Sequence, residues 1–278
     1  MKSIILFALC IVCFYFGVSF VRTYMADPPP TQESVAKARN TGTAKTDTPE
    51  MTLRNFKGKD LQFEYLDGFS ASATTEALTD GSKARGYLVR DAKGRGNCSV
   101  LEVSGKTTIN AQAELIERMN KLVYAYYKGA LDQFLAEHPE VSASDFRSVP
   151  QNISLRTENR VSNTTTTPSI SFRDTRMDVK VPGERMIVPT NSQIQSAYRE
   201  YRETGRTSTP ELSQVLLFLE RIELDSSTTP FFGAYALGRE GNKTILIVST
   251  ATPENYAHMA EQHEALLRSF ALNTVQAP

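Results

Sequence analysis

The chain opens with an uncharged, strongly apolar run of 18 residues, Ile4 to Val21, which follows Met1-Lys2 and ends at Arg22. A helix rises about 1.5 Å per residue, so a run of this length just crosses the hydrocarbon core of a bilayer. The sequence therefore predicts an N-terminal transmembrane helix that contacts the lipid bilayer through residues 4–21. The apolar residues of this predicted anchor are Ile4, Leu6, Phe7, Leu9, Ile11, Val12, Phe14, Phe16, Val18 and Val21.

A cleaved signal peptide is the alternative for the same segment. Gly17-Val18-Ser19 offers the small residues that a signal peptidase requires, and cleavage there gives a new N-terminus near Phe20. The anchor predicts a single-pass protein of the cell membrane, whereas cleavage predicts a secreted or periplasmic protein. Both interpretations place the rest of the chain outside the cytoplasm.

Composition divides the chain into three predicted segments. Residues 1–25 are the signal anchor or signal peptide, and residues 26–50 are a flexible linker, because Pro28-Pro29-Pro30 is followed by polar residues without aliphatic periodicity. Residues 51–278 contain enough apolar residues for a core and are predicted to form an extracytoplasmic α+β domain.

Charge and cysteine usage limit the classes of partner and chemistry. The 31 basic residues are balanced by 31 acidic residues, so no excess positive charge is present to neutralise phosphates, and nucleic acid is not expected as a partner. Cys10 and Cys13 lie inside the apolar run, where a thiolate is not stabilised. Cys98 is the remaining cysteine, and it is predicted to be buried or paired with another chain.

The first half of the domain is predicted to form strands followed by one long helix. Alternation in Leu61 to Tyr65 predicts a strand before an Asp67-Gly68 turn, and Gly86 to Val89 with Cys98 to Val103 predict a hairpin with a basic tip. The clearest helix starts after Asn110 as its cap and stops at His138, because Pro139 follows. Its spacing places Tyr126 in the core.

The second half is less regular until the C-terminus. The predicted strands and loops are strands Asn152 to Arg156 and Ile170 to Phe172, a loop over Thr164 to Thr167, and a hairpin of Asp178 to Val181 with Met186 to Val188. The predicted helices run from Ile194 to about Gly205 and from Ser208 through Leu219, although Val215 to Leu224 also fits a buried strand. The last elements are a hairpin of Phe231 to Leu237 with Thr244 to Ser249, and a helix from Pro253 to Phe270.

The stretch "GAYALGREGNKTILIVSTATPENYAHMAEQHEALLRSFAL" resembles the C-terminal unit of Mog1/PsbP-like proteins, in which a sheet ends in a helix closing near Ser269-Phe270. The resemblance implies an α/β/α sandwich with a mainly antiparallel sheet flanked by helices. It also implies a family of accessory and binding proteins rather than enzymes. No ligand or partner motif is matched, so no functional residue is carried over.

Motifs that suggest catalysis or cofactor binding are incomplete. Gly105-Lys106-Thr107 mimics a phosphate-binding loop, but Val100 stands where the first glycine is needed. "HEALL" at His263 has Leu267 where a zinc helix requires its second histidine, and His258 lies five residues away, which is the wrong side of a helix. We therefore predict no catalytic residue, no metal and no cofactor.

The predicted function is a membrane-tethered, non-catalytic accessory protein that binds a partner protein or an envelope component. One alternative is a secreted or periplasmic hydrolase whose site assembles from distant residues such as His263, Glu261 and Ser249. Another is a small-molecule or lipid carrier, which requires an apolar cavity between helix and sheet.

Overall fold

The computed structural model describes residues 52–104, 109–148, 156–165, 170–183, 187–207 and 210–273. Its strands are β1 (Leu53–Lys57), β2 (Leu61–Leu66), β3 (Phe69–Ala77), β4 (Lys83–Asp91), β5 (Gly96–Ser104), β6 (Phe146–Ser148), β7 (Arg156–Thr165), β8 (Ser171–Lys180), β9 (Ile187–Pro189), β10 (Phe231–Glu240), β11 (Lys243–Ala251) and β12 (Ala271–Leu272). Its α-helices are α1 (Ala111–Glu137), α2 (Ser192–Thr204), α3 (Pro210–Thr228) and α4 (Tyr256–Ser269).

One seven-stranded sheet organises these residues. Its order is β3-β4-β5-β11-β10-β8-β7, and all neighbouring strands are antiparallel. β10 and β11 occupy the middle, and their side chains alternate between two cores on opposite faces of the sheet. The fold is therefore α+β with a large antiparallel sheet, as the sequence predicted.

The first core lies between the sheet and helices α1 and α3. α1 buries residues spaced mainly by four, namely Leu115, Met119, Val123, Tyr127 and Phe134. The Phe134 ring stacks on Phe218 of α3 with 4.3 Å between centroids. Each fully buried side chain of this size contributes about 1.5–3 kcal/mol relative to its exposed state.

The second core lies on the opposite face, beneath α4 and a small sheet of order β1-β2-β12. Gln262 of α4 accepts a hydrogen bond from the Leu66 backbone N–H at 2.7 Å, and Ser269 accepts one from the Glu64 N–H at 2.7 Å. These bonds fix α4 along β2, so helices flank both faces of the central sheet.

Several predicted helix ends are confirmed by the structure. The Asn110 side chain accepts a hydrogen bond from the Ala113 N–H at 3.1 Å, and α1 stops before Pro139. Gly205 ends α2 in the left-handed region at φ 67°, which glycine adopts without strain. α3 is a helix to Thr228, so the alternative strand over Val215 to Leu224 is wrong.

The middle of the chain differs from the prediction. Asp178 lies near the end of the long strand β8, and β9 pairs with β6 instead of forming a hairpin with β8. Thr164 and Thr165 belong to β7 and pair with Phe172 and Ser171, so these two are strand rather than loop. β-branched threonines suit an edge strand, and the loop prediction weighed only their polarity.

Tyr126, predicted to lie in the core, packs against the edge of the core, and the neighbouring Tyr127 is the buried tyrosine. Tyr127 is buried, at 2% exposure, whereas Tyr126 is only half-buried and its hydroxyl donates to Glu254 at 2.6 Å. The buried residues of α1 follow a spacing of four, which carries the core face from Val123 to Tyr127.

The predicted membrane segment and linker lie outside the described residues. Within the part of the chain that the structure describes, no helix has the length and apolar character needed to span a membrane.

Candidate functional site

Ser249, His263 and Asp174 meet in the second core. Ser249 continues the face of β11 that also carries Ile245 and Ile247, and His263 lies on the buried face of α4. Asp174 comes from β8, on the far side of β10 from β11. The three side chains are thus brought together by the strand order and by the docking of α4.

The histidine ring bridges the two strands. His263 Nδ1 lies 2.7 Å from Ser249 Oγ, and Nε2 lies 2.9 Å from Asp174 Oδ1. In the register, Ala234 of β10 is opposite Ser249 and Ala236 is opposite Asp174. The small methyl side chains of Ala234 and Ala236 leave enough space above β10 for the imidazole ring.

Hydrogen-bonding roles follow from the partners. In the neutral ring, Nε2–H donates to the Asp174 carboxylate, and Nδ1 accepts the Ser249 O–H. The opposite Asp174 oxygen accepts from Arg176 Nε at 3.1 Å, and Arg176 also pairs with Glu264 of α4. The network therefore ties β11, β8 and α4 together.

The charge of Asp174 is maintained by its neighbours. Burial opposes ionisation, but the hydrogen bond from His263 and the positive charge of Arg176 outweigh it, so the pKa of Asp174 lies below its ordinary value. A carboxyl group whose pKa is lower in the folded state stabilises the fold at pH values above its pKa in the unfolded chain. This contribution is lost as the pH falls through the lower, folded-state pKa.

Cys98 lies beside Ser249 on the neighbouring strand β5. Cys98 and Ser249 are directly opposite in the β5–β11 pairing, and Cys98 is fully buried. Burial raises the pKa of the Cys98 thiol to about 12, against a smaller opposing effect of its hydrogen bond with Ser249. The predicted buried thiol is confirmed, because Cys98 is free and buried.

We expect Cys98 to be unreactive in the folded protein. In a Cys10→Ser, Cys13→Ser background at pH 8, a thiol reagent should modify Cys98 at least about a hundredfold more slowly than in denaturant, because both access and thiolate are lacking. Labelling followed by mass spectrometry measures this ratio. Equal rates in the two states contradict the burial of Cys98.

The residue types match a hydrolytic triad, but their setting does not. Ser249 and His263 are 0% exposed and Asp174 is 1% exposed. In serine hydrolases the serine is bonded to Nε2 and the aspartate to Nδ1, which is the reverse of the arrangement here. The Ser249 hydroxyl is enclosed beneath α4, where a substrate cannot reach it. The geometry suits a satisfied buried network that positions α4 on the sheet.

Sequence reasoning found two of the three residues. Ser249 and His263 were candidates for the alternative hydrolase and are in contact. Glu261, the predicted third member, is exposed on α4, and Asp174 takes that place. His263 is buried within the core. No sequence signal marked Asp174, because its role depends on the order of β11, β10 and β8.

The other motifs give no site. His258 is exposed while His263 is buried, so the two histidines do not converge. Gly105-Lys106-Thr107 and all ten anchor residues from Ile4 to Val21 lie outside the described residues. Over the described ranges, no cluster of three or more His, Cys, Asp or Glu side chains is arranged to hold a metal ion.

Open surface features surround this core. A groove of about 530 Å³ lies between β1, β2 and α4, where Arg176, Glu261 and Glu264 reach it. An apolar groove of about 530 Å³ is formed by β9, α2 and α3, with Ile187 and Leu219 in its wall. The residues that line this apolar groove come from β9 and the two helices, and none of them belongs to the seven-stranded sheet.

Comparisons with known proteins add little. No family model and no curated protein matches the chain. Among solved structures, the chain is similar to cyanobacterial PsbP from Synechocystis, with 10% identity, a TM-score of 0.33, and coverage of 82% of this chain and 96% of that one. The fold described above rests on the strand pairing and packing alone.

Proposed function

We propose that the protein is a membrane-tethered, extracytoplasmic accessory protein whose folded domain binds a partner protein or an envelope component without catalysing a reaction. Residues 4–21 supply the anchor in this proposal, and residues 26–50 supply the tether.

The observation that carries the proposal is the burial of the Ser249–His263–Asp174 network. These residues have the chemistry of a hydrolytic site, but their hydrogen bonds are used within the core. Function then depends on the surface of the domain. The apolar run and the polar linker of the sequence support a role at a membrane, with the domain held away from the lipid.

The tether is tested by fractionation of cells that express the full-length chain. We expect the protein to remain in the membrane pellet after an alkaline carbonate wash, and protease added outside the cytoplasm to digest residues 51–278. A matched variant that lacks residues 4–21 should leave the membrane fraction entirely, because about 18 apolar residues provide the whole insertion energy. Recovery of the full-length protein in the soluble cytosol contradicts the proposal.

The hydrolase is kept as a second candidate on one observation, the 2.7 Å contact between Ser249 Oγ and His263 Nδ1. A hydrolase requires α4 to move and expose this contact to substrate. The two candidates differ in what a His263 variant loses.

A further inference from the structure

Strand β3 forms one edge of the central sheet and has one partner among the described strands, β4. The Leu78 N–H donates to the Ser82 carbonyl at 2.8 Å, which sets the alternation of the β3–β4 ladder. The backbone N–H and C=O groups of Ser70, Ser72, Thr74 and Glu76 therefore point towards β4. The residues whose backbone N–H and C=O groups point away from the sheet are Phe69, Ala71, Ala73, Thr75 and Ala77.

This edge lacks the features that usually prevent strand addition. β3 has nine residues, which is about 30 Å of strand, and it contains no proline and no basic residue. Its one charged side chain, Glu76, is bound to Arg118 at 2.6 Å and to Ser99 at 2.9 Å. The opposite edge, β7, carries Arg156, Glu158 and Arg160 in its sequence. β3 is therefore the edge better suited to accept another strand.

The neighbouring strand β4 carries exposed basic residues. Lys83, Arg85 and Arg90 of β4 are exposed, and none of them makes an ion pair with a described residue. Lys83 is opposite Ala77, and Arg85 is opposite Thr75. These small β3 side chains allow the longer basic side chains to reach across to a strand added about 10 Å from β4.

The charge also distinguishes the possible occupants. A second copy of this chain paired through β3 would add a strand whose one carboxylate, Glu76, is already bound to Arg118, so it would leave Lys83 and Arg85 without an acidic partner. Lys83 and Arg85 lie on one face of the sheet and Arg90 lies on the other, so a segment with carboxylates at alternate positions would place negative charge beside Lys83 and Arg85. The outward backbone groups of β3 therefore suit an extended chain, and the basic side chains of β4 favour acidic residues in that chain.

We propose that β3 is the partner-binding edge of the domain and that it takes an extended, acidic segment of a partner protein as an eighth strand. This inference rests on the proposed binding function and assigns it a site and a class of ligand. Main-chain hydrogen bonds to the outward groups of β3 supply affinity, and Lys83 and Arg85 supply selectivity.

The first test uses the full-length protein in detergent and three fluorescent nine-residue peptides. One alternates Glu with Val and Thr, the second has Lys in place of Glu, and the third has a central Pro. We expect the Glu peptide to bind at least about tenfold more tightly than either control, since a tenfold change corresponds to only one or two lost contacts. Equal binding of the Glu and Lys peptides, or no binding of the Glu peptide, overturns the inference.

Matched variants locate the binding. Ala73→Pro removes an outward N–H while leaving the ladder to β4 intact. It should therefore weaken binding of the Glu peptide at least about tenfold and leave the melting temperature of the protein unchanged. Arg85→Glu should weaken it similarly, whereas Arg221→Glu on the exposed face of α3 should not. A Glu peptide that binds Ala73→Pro as well as it binds the native chain overturns the inference.

Photocrosslinking in cells separates this inference from the proposed function. A photoreactive residue replaces Ala73 in one variant and Tyr124, which is exposed on α1, in another. A crosslinked partner from Ala73 alone supports the β3 edge. A heterologous partner captured only from Tyr124 overturns binding at the β3 edge but leaves a binding function. A crosslinked homodimer from Ala73 overturns the proposal of an acidic partner protein. The absence of a crosslink from either position contradicts both proposals.

Discussion

Replacing Asp174 with alanine is expected to lower the free energy of unfolding by about 3–5 kcal/mol, because one member of a buried charged network is removed while the others remain. Asp174 accepts from His263 at 2.9 Å and from Arg176 at 3.1 Å. Its loss leaves the His263 N–H without an acceptor in the core and leaves Arg176 with Glu264 alone.

Urea unfolding of the Asp174→Ala variant measures this change. Asp174→Asn keeps an oxygen acceptor without the charge, so its loss should be smaller, and Glu261→Ala on the exposed face of α4 should change stability by less than about 0.5 kcal/mol. A loss below about 1 kcal/mol for Asp174→Ala contradicts the view that the network fastens α4 to the sheet.

The same network separates the binding protein from the alternative hydrolase. In a binding protein, His263→Gln lowers stability but leaves partner binding unchanged at a temperature where the variant is folded. In a hydrolase, the same variant stays folded and loses turnover, because its general base is gone. Loss of a measurable hydrolytic activity by folded His263→Gln protein would contradict the non-catalytic account.

Gly86→Ala is the second substitution for which a large effect is expected, about 3 kcal/mol of destabilisation. An added Cβ at Gly86 would lie 1.9 Å from the Val100 carbonyl oxygen and 2.9 Å from the Leu101 Cα. These are backbone atoms of β5, so no side-chain rotation relieves the overlap, and β4 must shift from its neighbour. The β3–β4 hairpin should loosen with it.

Thermal and urea unfolding of Gly86→Ala can be compared with Gly129→Ala. Gly129 is exposed on α1, and an added Cβ meets nothing within 4 Å. Alanine there should be neutral or should stabilise the protein by up to about 1 kcal/mol, because glycine is a poor helix former. If both variants unfold at the same denaturant concentration, the close approach of β4 to β5 is not as described.

Local signals predicted the elements that depend on neighbouring residues. Asn110 as a cap, Pro139 beyond α1 and Gly205 at the end of α2 each act within one helical turn, and the structure has all three ends as predicted. The hairpin of β10 and β11 was equally readable, because two apolar runs flank a short Gly-containing turn.

Long-range pairing explains what was missed. β8 joins two stretches that the sequence treated as separate strands, because Arg173, Asp174 and Arg176 interrupt its apolar pattern. Asp174 and Arg176 are accommodated there by His263 and Glu264 of α4, which follow about 90 residues later. Neither the continuity of β8 nor the role of Asp174 can be read before the position of α4 is known.

We propose that the folded domain binds a partner outside the cytoplasm while the N-terminal segment holds it at the membrane. The most direct test is crosslinking in intact cells, purification of the full-length protein from membranes, and sequencing of its N-terminus in the same sample. The account predicts a reproducible protein or envelope partner and an intact Met1. An N-terminus near Phe20 together with no crosslinked partner would contradict it.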